Sequence, residues 1–384
     1  MNQFSWSPIG PPPPPSAPPP LPVAFIGDRK AFFQLAARGA GLELVTLGFY
    51  RFWLVTDIRR HLWSNTLIDG DAAEYTGRGK ELLIGFLIAL AILVPIYLGY
   101  FLITVEAERL QALASLPLVA SFYVFGQFAI YRARRYRLTR TVWRGVRFWM
   151  DGSGWAYAAR ATLWVLFAIV TLGIASPWRQ AALERYKMRH SWYGDLQGRF
   201  EGRGWAFFKK IWWLWPVTPI AILFFPLAPF LYAYYKAVEW RWWLSGIRFG
   251  DVHLESTLAG DALHDLYWKV IGWSALLSLA FAIFIGIFSA LIGVVGYTIS
   301  GGPAAPGALA TSIPLAIVMV VGYLVLALGL SVVSRLYLSR DLWGRVLASL
   351  HVSGLEAAAN VSAKGDLASA LGEGIADGLD VAGF

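Results

Sequence analysis

The chain has 384 residues, of which 57% are hydrophobic and 15% charged, and its mean hydropathy is +0.53. Soluble globular proteins carry about 25% charged residues, so this composition excludes an ordinary soluble enzyme and predicts an integral membrane protein. The net charge of +9 and the 19 Trp residues are typical of a protein at an anionic lipid surface. Nucleic-acid binding does not explain the long uncharged runs, and the lack of Cys excludes disulfides and thiolate metal sites.

The chain begins with a proline tract at residues 7–22. We expect residues 1–22 to form a disordered, extended polyproline II tail, because a run so rich in proline cannot build a core. The tail is either a ligand that binds an aromatic-lined groove of another protein or a spacer, and we favour the spacer. It lacks the apolar segment of a signal peptide, so the first membrane element is expected to act as its own insertion signal.

Four uncharged apolar runs lie further along the chain. Each approaches or exceeds the roughly 20 residues that cross a hydrocarbon core about 30 Å thick. They pair into two helical hairpins, which we predict to be transmembrane. The four runs are residues 82–103, 113–131, 270–299 and 314–333.

Three further apolar segments contain charges or helix breakers, and they predict either ordinary spans or re-entrant loops. Residues 35–55 contain Glu43, a candidate intramembrane carboxylate. It either binds an ion, pairs with Arg38, or lies at the membrane interface because the segment does not span. Residues 161–178 are apolar but short, and residues 211–235 contain four prolines.

The distribution of Lys and Arg favours the re-entrant interpretation. Residues 132–160 and 179–210 hold 8 Lys and Arg each, and cytoplasmic loops carry the excess of such residues. A single crossing by residues 161–178 would place these two loops on opposite sides of the membrane. A seven-span protein that violates the charge rule is the alternative. We therefore expect the basic loops to be cytoplasmic and the poorly charged connectors 104–112 and 300–313 to face outwards.

An internal repeat relates two parts of the chain. The motif Thr-Leu-Gly-x4-Trp occurs at residues 46–53 and again, 125 residues later, at residues 171–178. We predict a tandem duplication, about residues 23–155 and 156–260, followed by a final hairpin at 270–337. The repeat-motif residues are Thr46, Gly48, Trp53, Thr171, Gly173 and Trp178.

Short β-prone stretches lie between the apolar segments. Residues 65–76 read as strand, Asp-Gly turn and strand, and residues 190–200 repeat that pattern. Asp-Gly supplies the positive φ that a two-residue hairpin turn needs, and open sheet edges cannot face lipid. The predicted fold class is therefore an all-α polytopic membrane protein, with about 6–7 apolar helical segments and short cytoplasmic β-hairpins at the membrane surface.

Longer motifs in the same regions resemble the YjgN-like family of bacterial inner-membrane proteins, which is built on a domain of unknown function. The motifs are residues 46–53, 69–82, 135–148 and 184–195. The resemblance extends over about residues 23–350, and it implies a multi-pass inner-membrane domain but no activity, substrate or catalytic residue. The chain departs from the family pattern in its proline tail and in an Ala/Gly-rich C-terminal tail at residues 354–384.

No residue pattern predicts catalysis. Asp69, Asp71 and Glu74 are close enough in sequence for acid–base or metal chemistry, but their place in a predicted turn favours backbone capping. The five His residues are scattered, and no nucleotide-binding or metalloprotease motif occurs. We therefore predict a non-enzymatic protein without a cofactor, and we assign no catalytic, cofactor-binding or metal-binding residue.

The function we predict is transport of a neutral or lipid-like solute in the bacterial inner membrane. The alternative is a non-catalytic scaffold or anionic-lipid-binding protein of the envelope. Clustered arginines can hold phosphate headgroups bidentately, although such clusters also fit a topology signal. Membrane lipids, not nucleic acids, are the expected partners, and protein partners stay unassigned. The candidate headgroup-binding residues are Arg59, Arg60, Arg134, Arg135, Arg140, Arg144, Arg147, Arg185, Arg189 and Arg248.

Overall fold

The structure is a computed structural model that describes residues 21–106, 111–224, 227–300 and 313–370. Nearly all of the predicted proline tail, parts of both outward-facing connectors and the end of the C-terminal tail therefore lie outside the described residues.

Ten short β-strands form a closed antiparallel barrel. The strands are β1 (Leu21–Phe25), β2 (Thr66–Ile68), β3 (Asp71–Tyr75), β4 (Thr141–Trp143), β5 (Val146–Met150), β6 (Ser191–Tyr193), β7 (Leu196–Phe200), β8 (Ile247–Phe249), β9 (Val252–Ser256) and β10 (Leu350–Ser353). Around the barrel the order is β1-β10-β9-β8-β7-β6-β5-β4-β3-β2, and the pairing of β2 with β1 closes the ring.

Helices fill the long connections between the strands. They are α1 (Arg29–Val45), α2 (Arg51–Ser64), α3 (Gly79–Glu106), α4 (Gln111–Thr139), α5 (Gly154–Val170), α6 (Ser176–Arg189), α7 (Gly204–Ile211), α8 (Leu214–Leu223), α9 (Ala228–Ser245), α10 (His264–Ser300), α11 (Ile313–Ser334) and α12 (Leu342–Ala348). A π-helix (Arg335–Asp341) joins α11 to α12, and a 3-10 helix (Leu355–Ala358) follows β10.

The prediction of an all-α polytopic fold is wrong, because a closed ten-stranded barrel organises the chain. The hairpins expected at residues 65–76 and 190–200 are present as β2–β3 and β6–β7, but they are parts of the barrel wall rather than isolated units. A lone two-stranded hairpin is marginal in water, and an open sheet leaves unpaired edges. Closing the barrel removes both problems.

The connections alternate in a regular order around the barrel. Each five-residue strand is followed by helices, and the helices lead into a strand of three or four residues. A two-residue turn joins that short strand to the next long one, as at Asp69-Gly70 and Arg144-Gly145. All four turns therefore lie at one end of the barrel, which we call the turn end, and all five helical connections leave from the opposite helix end. The unit of long strand, helices and short strand occurs five times and the turn four times, while the tandem duplication itself stays a prediction.

Positive φ values explain the residues found in the turns. Asp69 and Gly70 have φ values of 54° and 79°, which is the type I′ combination that matches strand twist. Arg144-Gly145 repeats this combination, and Gly194 and Gly250 open the other two turns with φ values of 55° and 57°. Each of the four turns therefore contains a Gly at a positive φ, and Asp69 and Arg144 are the two other turn residues that adopt this conformation.

Aromatic side chains occupy the barrel interior. Phe148 on β5 and Phe249 on β8 are three strand spacings apart, about 14 Å along the wall, yet their ring centroids are 5.8 Å apart. They can meet only across the interior. The Tyr193 hydroxyl on β6 likewise donates a 3.0 Å hydrogen bond to the backbone oxygen of Trp143 on β4. The inner face of the wall is thus packed and belongs to a large apolar core.

The chain after β10 packs against the barrel. Leu355 and Ala358 of the 3-10 helix are buried in the apolar core, and the Ser362 backbone N–H donates to the Asp195 carboxylate at 3.3 Å. The described part of the predicted Ala/Gly-rich tail is therefore attached to the barrel.

Among the described residues, three helices are long and apolar enough to cross a membrane. They are Gly79–Leu102, His264–Val295 and Ala316–Ala348. At most 17% of the most apolar window of any of them is buried inside the protein, and exposed apolar surface of that extent marks contact with lipid or a partner. These helices overlap three of the four predicted apolar runs, and the fourth run, residues 113–131, lies within α4.

The segments at residues 35–55 and 161–178 are helical hairpins rather than continuous helices. The first breaks between α1 and α2, and the second between α5 and α6, in both cases at the Thr-Leu-Gly motif. Residues 211–235 extend from the end of α7 through α8 into α9. Because both ends of each connection continue into barrel strands, none of these segments separates the basic loops on its two sides.

Replacing Gly198 with Ala is expected to destabilise the protein. A Cβ added at Gly198 on β7 would lie 2.7 Å from the backbone oxygen of Met188 and 2.9 Å from that of Ser191, and overpacking of this kind costs about 1–3 kcal/mol. Thermal unfolding of the full chain in detergent measures the loss.

The control for this measurement is Gly41→Ala on α1, where an added Cβ meets nothing within 4 Å. It is expected to be neutral or stabilising, because Ala has the higher helix propensity. Equal stability of the two variants would contradict the close approach of α6 to β7.

Candidate functional site

Two of the predicted arginines, Arg144 at the turn end of the barrel and Arg248 on β8, are held by carboxylates. Arg144 donates to Asp71 at 2.5 Å and to Asp69 at 2.7 Å, and these hydrogen bonds raise the pKa of Arg144. Arg248 is the middle residue of β8 and donates at 3.2 Å to Glu201, which follows β7 at the helix end. The two turn carboxylates therefore connect the β2–β3 turn to the β4–β5 turn, which gives them a structural role.

Three more of the predicted arginines lie near the helix end. Arg59 is buried and donates to the Tyr75 hydroxyl at 3.3 Å, and Arg140 pairs with Glu81 at 2.6 Å. Arg60 is exposed and pairs with a carboxylate of its own helix. Hydroxyl and carboxylate groups of the protein thus bind guanidinium N–H donors that would otherwise be available to a ligand.

Arg134 belongs to a buried cluster of three charges between α4 and α6. Its guanidinium pairs with Glu184 at 3.0 Å, and Lys187 contacts the same carboxylate. Less than a fifth of each of these side chains is exposed. Burial raises the pKa of Glu184, but the charges of Lys187 and Arg134 outweigh it and lower this pKa to about 2. The cluster holds two cations and one anion, so the carboxylate is essential to it.

The remaining predicted arginines are dispersed. Arg135 on α4 and Arg147 on β5 are half-buried, and the Arg147 Nε atom is buried without a hydrogen-bond partner among the described residues. Arg185 and Arg189 are exposed on α6. The structure therefore distributes the ten predicted arginines over both ends of the barrel and does not gather them into one site.

Glu43 pairs with Arg335 at a distance of 2.8 Å rather than with Arg38. Arg335 is the first residue of the π-helix, so the ion pair joins the first helical connection to the last. The carboxylate is therefore part of a contact between helices.

The Thr-Leu-Gly motifs build two equivalent helix breaks. The Thr46 hydroxyl donates to the backbone oxygen four residues earlier at 2.8 Å and accepts from the N–H four residues later at 2.9 Å. Thr171 makes the same two bonds, at 2.9 and 3.2 Å. Leu47 and Leu172 follow with φ values of 51° and 52° and exposed fractions of 89% and 75%. Both hairpin tips thus expose a leucine whose backbone has the left-handed conformation, which residues other than Gly, Asn and Asp rarely adopt.

The tryptophans of the repeat motif have a packing role. A Cβ added at Gly79 would lie 2.9 Å from the Trp53 Cα, and one added at Gly204 would lie 2.8 Å from the Trp178 Cα. The glycine that begins the next helix therefore lies directly against each tryptophan.

A cleft of about 540 Å³ lies at the helix end, between the first and the last helical connections. Arg29 is the first residue of α1, Lys269 lies in the second turn of α10, and the π-helix and α12 form the opposite wall. The polar lining residues are Arg29, Lys269, Tyr337, Arg340, Asp341 and Arg345.

Asp341 is the first of two carboxylates in and beside the cleft. It accepts hydrogen bonds from Arg29 at 3.0 Å and from Arg340 at 2.7 Å. The guanidinium of Arg29 also lies over the Tyr337 ring, 5.1 Å from its centroid. A single carboxylate therefore serves two guanidinium groups. In addition, the Arg340 Nε atom is buried without a hydrogen-bond partner among the described residues.

Asp265 is the second carboxylate and lies next to the lining residues. It accepts from Lys269 at 3.0 Å and from both terminal nitrogens of Arg345, one of them at 2.6 Å. The four cations and these two carboxylates carry a net charge of +2, and Asp28, which caps α1 and whose charge interacts with that of Arg340, reduces it to +1. A cleft of this charge attracts anions.

Sequence reasoning missed this cleft because its residues are far apart in the chain. Arg29 and Asp341 are 312 positions apart. A weak local signal exists in the spacing of Arg335, Arg340 and Arg345, which recur every fifth residue. That period does not fit one face of an α-helix. Arg335 and Arg340 lie in the π-helix, a form that often occurs at functional sites, whereas Arg345 lies in α12.

Comparison with known proteins identifies a family but no activity. A family model described as a bacterial protein of unknown function (DUF898) matches residues 20–221. No curated protein and no solved structure matches the chain. The matched segment holds strands β1–β7, while β8–β10 and three of the four cationic cleft residues lie beyond it.

The buried charge cluster predicts a pH-dependent loss of stability. Because the pKa of Glu184 is lowered to about 2 from an ordinary value of 4.5, its contribution is complete above pH 4.5 and is lost as the pH falls towards 2. Glu184→Gln leaves Arg134 and Lys187 buried without a counter-ion, which costs about 3–5 kcal/mol at pH 7. Thermal unfolding of both proteins in detergent across this pH range measures the effect.

Glu201→Gln is the matched control, because Glu201 also pairs with an arginine but is 62% exposed. Its expected cost is about 1 kcal/mol or less. If the two variants lost equal stability, or if Glu184→Gln kept the acid sensitivity of the natural protein, the assigned role of Glu184 would be wrong.

Proposed function

The chain belongs to this bacterial family of unknown function, and we propose that it is a non-catalytic, anionic-lipid-binding protein of the inner membrane. In this proposal the barrel lies on the cytoplasmic surface, and the helical connections enter the lipid to different depths.

One observation carries the proposal: all five helical connections leave the same end of the barrel. The three helices long enough to cross a membrane are among them, so the membrane belongs on that side. The basic loops 132–160 and 179–210 both contribute strands to one barrel and therefore share a side. Since the cytoplasmic side carries the excess of Lys and Arg, the charge rule supports a cytoplasmic barrel.

The shorter helical hairpins support shallow insertion. Their tips expose Leu47 and Leu172 at the end that faces away from the barrel strands. Asn or Gly tolerates the left-handed backbone better than Leu, so the apolar tips are better explained by contact with lipid than by folding. We infer that the two Thr-Leu-Gly hairpins dip into one leaflet and return.

Lipid binding fits the structure better than the transport we expected from the sequence. The described barrel interior is packed with aromatic side chains, whereas transport along the barrel axis would need an open channel. A cationic cleft lies at the end where the proposal places the membrane, and anionic headgroups carry the complementary charge.

Lipid that co-purifies with the detergent-solubilised protein tests this proposal. We expect anionic phospholipid to be enriched severalfold over its share of the bulk membrane, because each Lys or Arg near an anionic surface contributes about 1 kcal/mol. Arg185→Gln combined with Arg189→Gln, on the membrane side, should reduce the enrichment. Arg144→Gln, at the turn end, should not. A lipid composition equal to that of the bulk membrane would contradict the proposal.

A further inference from the structure

We propose that the cleft between α1, α10 and the π-helix is a specific binding site for the phosphate group of an anionic phospholipid. This inference rests on the proposed function for the source of the phosphate, and it adds a defined site that general attraction to an anionic surface does not require.

The cationic charges of the cleft are only partly compensated by the carboxylates in and beside it. Asp341 serves Arg29 and Arg340, and Asp265 serves Lys269 and Arg345. One further anion with a single negative charge would balance the group. Guanidinium groups suit phosphate in particular, because their planar arrangement of donors matches two phosphate oxygens.

The cationic side chains can still be reached from outside. About half of the Arg29 and Lys269 side chains is exposed, 49% and 51% respectively, and 37% of the Arg345 side chain. The volume of about 540 Å³ is within the range of sites that hold small molecules. A headgroup phosphate can therefore contact three cations without first breaking the buried Arg340 contacts.

The position of the cleft fits a lipid headgroup. Lys269 directly precedes the apolar run 270–299, and Arg335 follows the apolar run 314–333 by two residues. If these runs lie in the hydrocarbon, the cleft opens at the level where phosphates of the leaflet are found. The same level is expected for Arg78 and Lys80, which precede the apolar run 82–103 but lie outside the cleft.

The test compares a cleft variant with a variant of equal charge. Arg29→Gln with Lys269→Gln removes two cleft cations, and Arg78→Gln with Lys80→Gln removes two exposed cations at the start of α3. Native mass spectrometry of the full chain in detergent counts bound phosphatidylglycerol, with phosphatidylcholine as the zwitterionic reference. We expect the cleft variant to bind phosphatidylglycerol about 10- to 30-fold more weakly. The α3 variant should lose clearly less, because its cations add only to the general attraction of an anionic surface.

Equal loss in both variants would overturn the site, because it would show attraction by overall charge alone. A third variant keeps every ion pair intact: Ala24→Glu places a carboxylate at an exposed position in the cleft lining. It should also lose phosphatidylglycerol. Retained binding in this variant would overturn the proposal even if the double cleft variant failed to fold.

Equilibrium dialysis against inorganic phosphate separates the two sources of the group. Preference for phosphatidylglycerol with weak binding of inorganic phosphate supports the lipid source. Binding of inorganic phosphate that Ala24→Glu abolishes, without any preference for phosphatidylglycerol, would uphold a phosphate site and contradict the proposed lipid-binding function. Binding of neither would overturn the site.

Discussion

Closure of the barrel is the constraint on which the rest of the structure depends. Its strands are three to five residues long, too short to form stable pairs alone, so each pair relies on the complete ring and on the packed aromatic interior. Closure also fixes the end of the barrel from which the helices leave. Two-residue turns occupy one end, so every helix has to leave from the other, and helices of very different length and hydropathy share one starting level. The shared position of the apolar helices and of the basic segments next to them follows from this placement of all helices at one end of the barrel.

The charges of the protein divide into two groups within this frame. Most of the arginines near the barrel have a carboxylate or hydroxyl partner, as Arg144 has in Asp69 and Asp71 or Arg140 in Glu81, and they hold turns and helix ends together. At the cleft beside the π-helix, cations outnumber carboxylates, and the excess lies where helices long enough to cross a membrane begin and end. We regard the first group as structural and the second as the basis of ligand binding.

Local features of the fold could be predicted from the sequence, whereas long-range pairing could not. The Asp69-Gly70 turn and the breaks at Thr46 and Thr171 are set by neighbouring residues, so their patterns are readable. The pairing of Val23 with Ile68, or of Leu350 with Ser256, joins residues separated by whole helical segments. A three-residue strand is also too short to show an alternating period. The cleft was missed for the same reason, since Arg29 and Asp341 meet only after the barrel closes.

The most direct test of the central claim is the depth and sidedness of single labelled positions, which the Cys-free chain makes possible. An environment-sensitive fluorophore is attached at Leu47→Cys, Leu172→Cys, Glu74→Cys or Arg199→Cys in the full chain reconstituted into vesicles. Spin-labelled lipids should quench the first two positions, and aqueous iodide should quench the last two from the same side of the membrane. Quenching of positions 74 and 199 from opposite sides, or no lipid quenching at positions 47 and 172, would contradict a barrel that lies beside the membrane with its helices inserted.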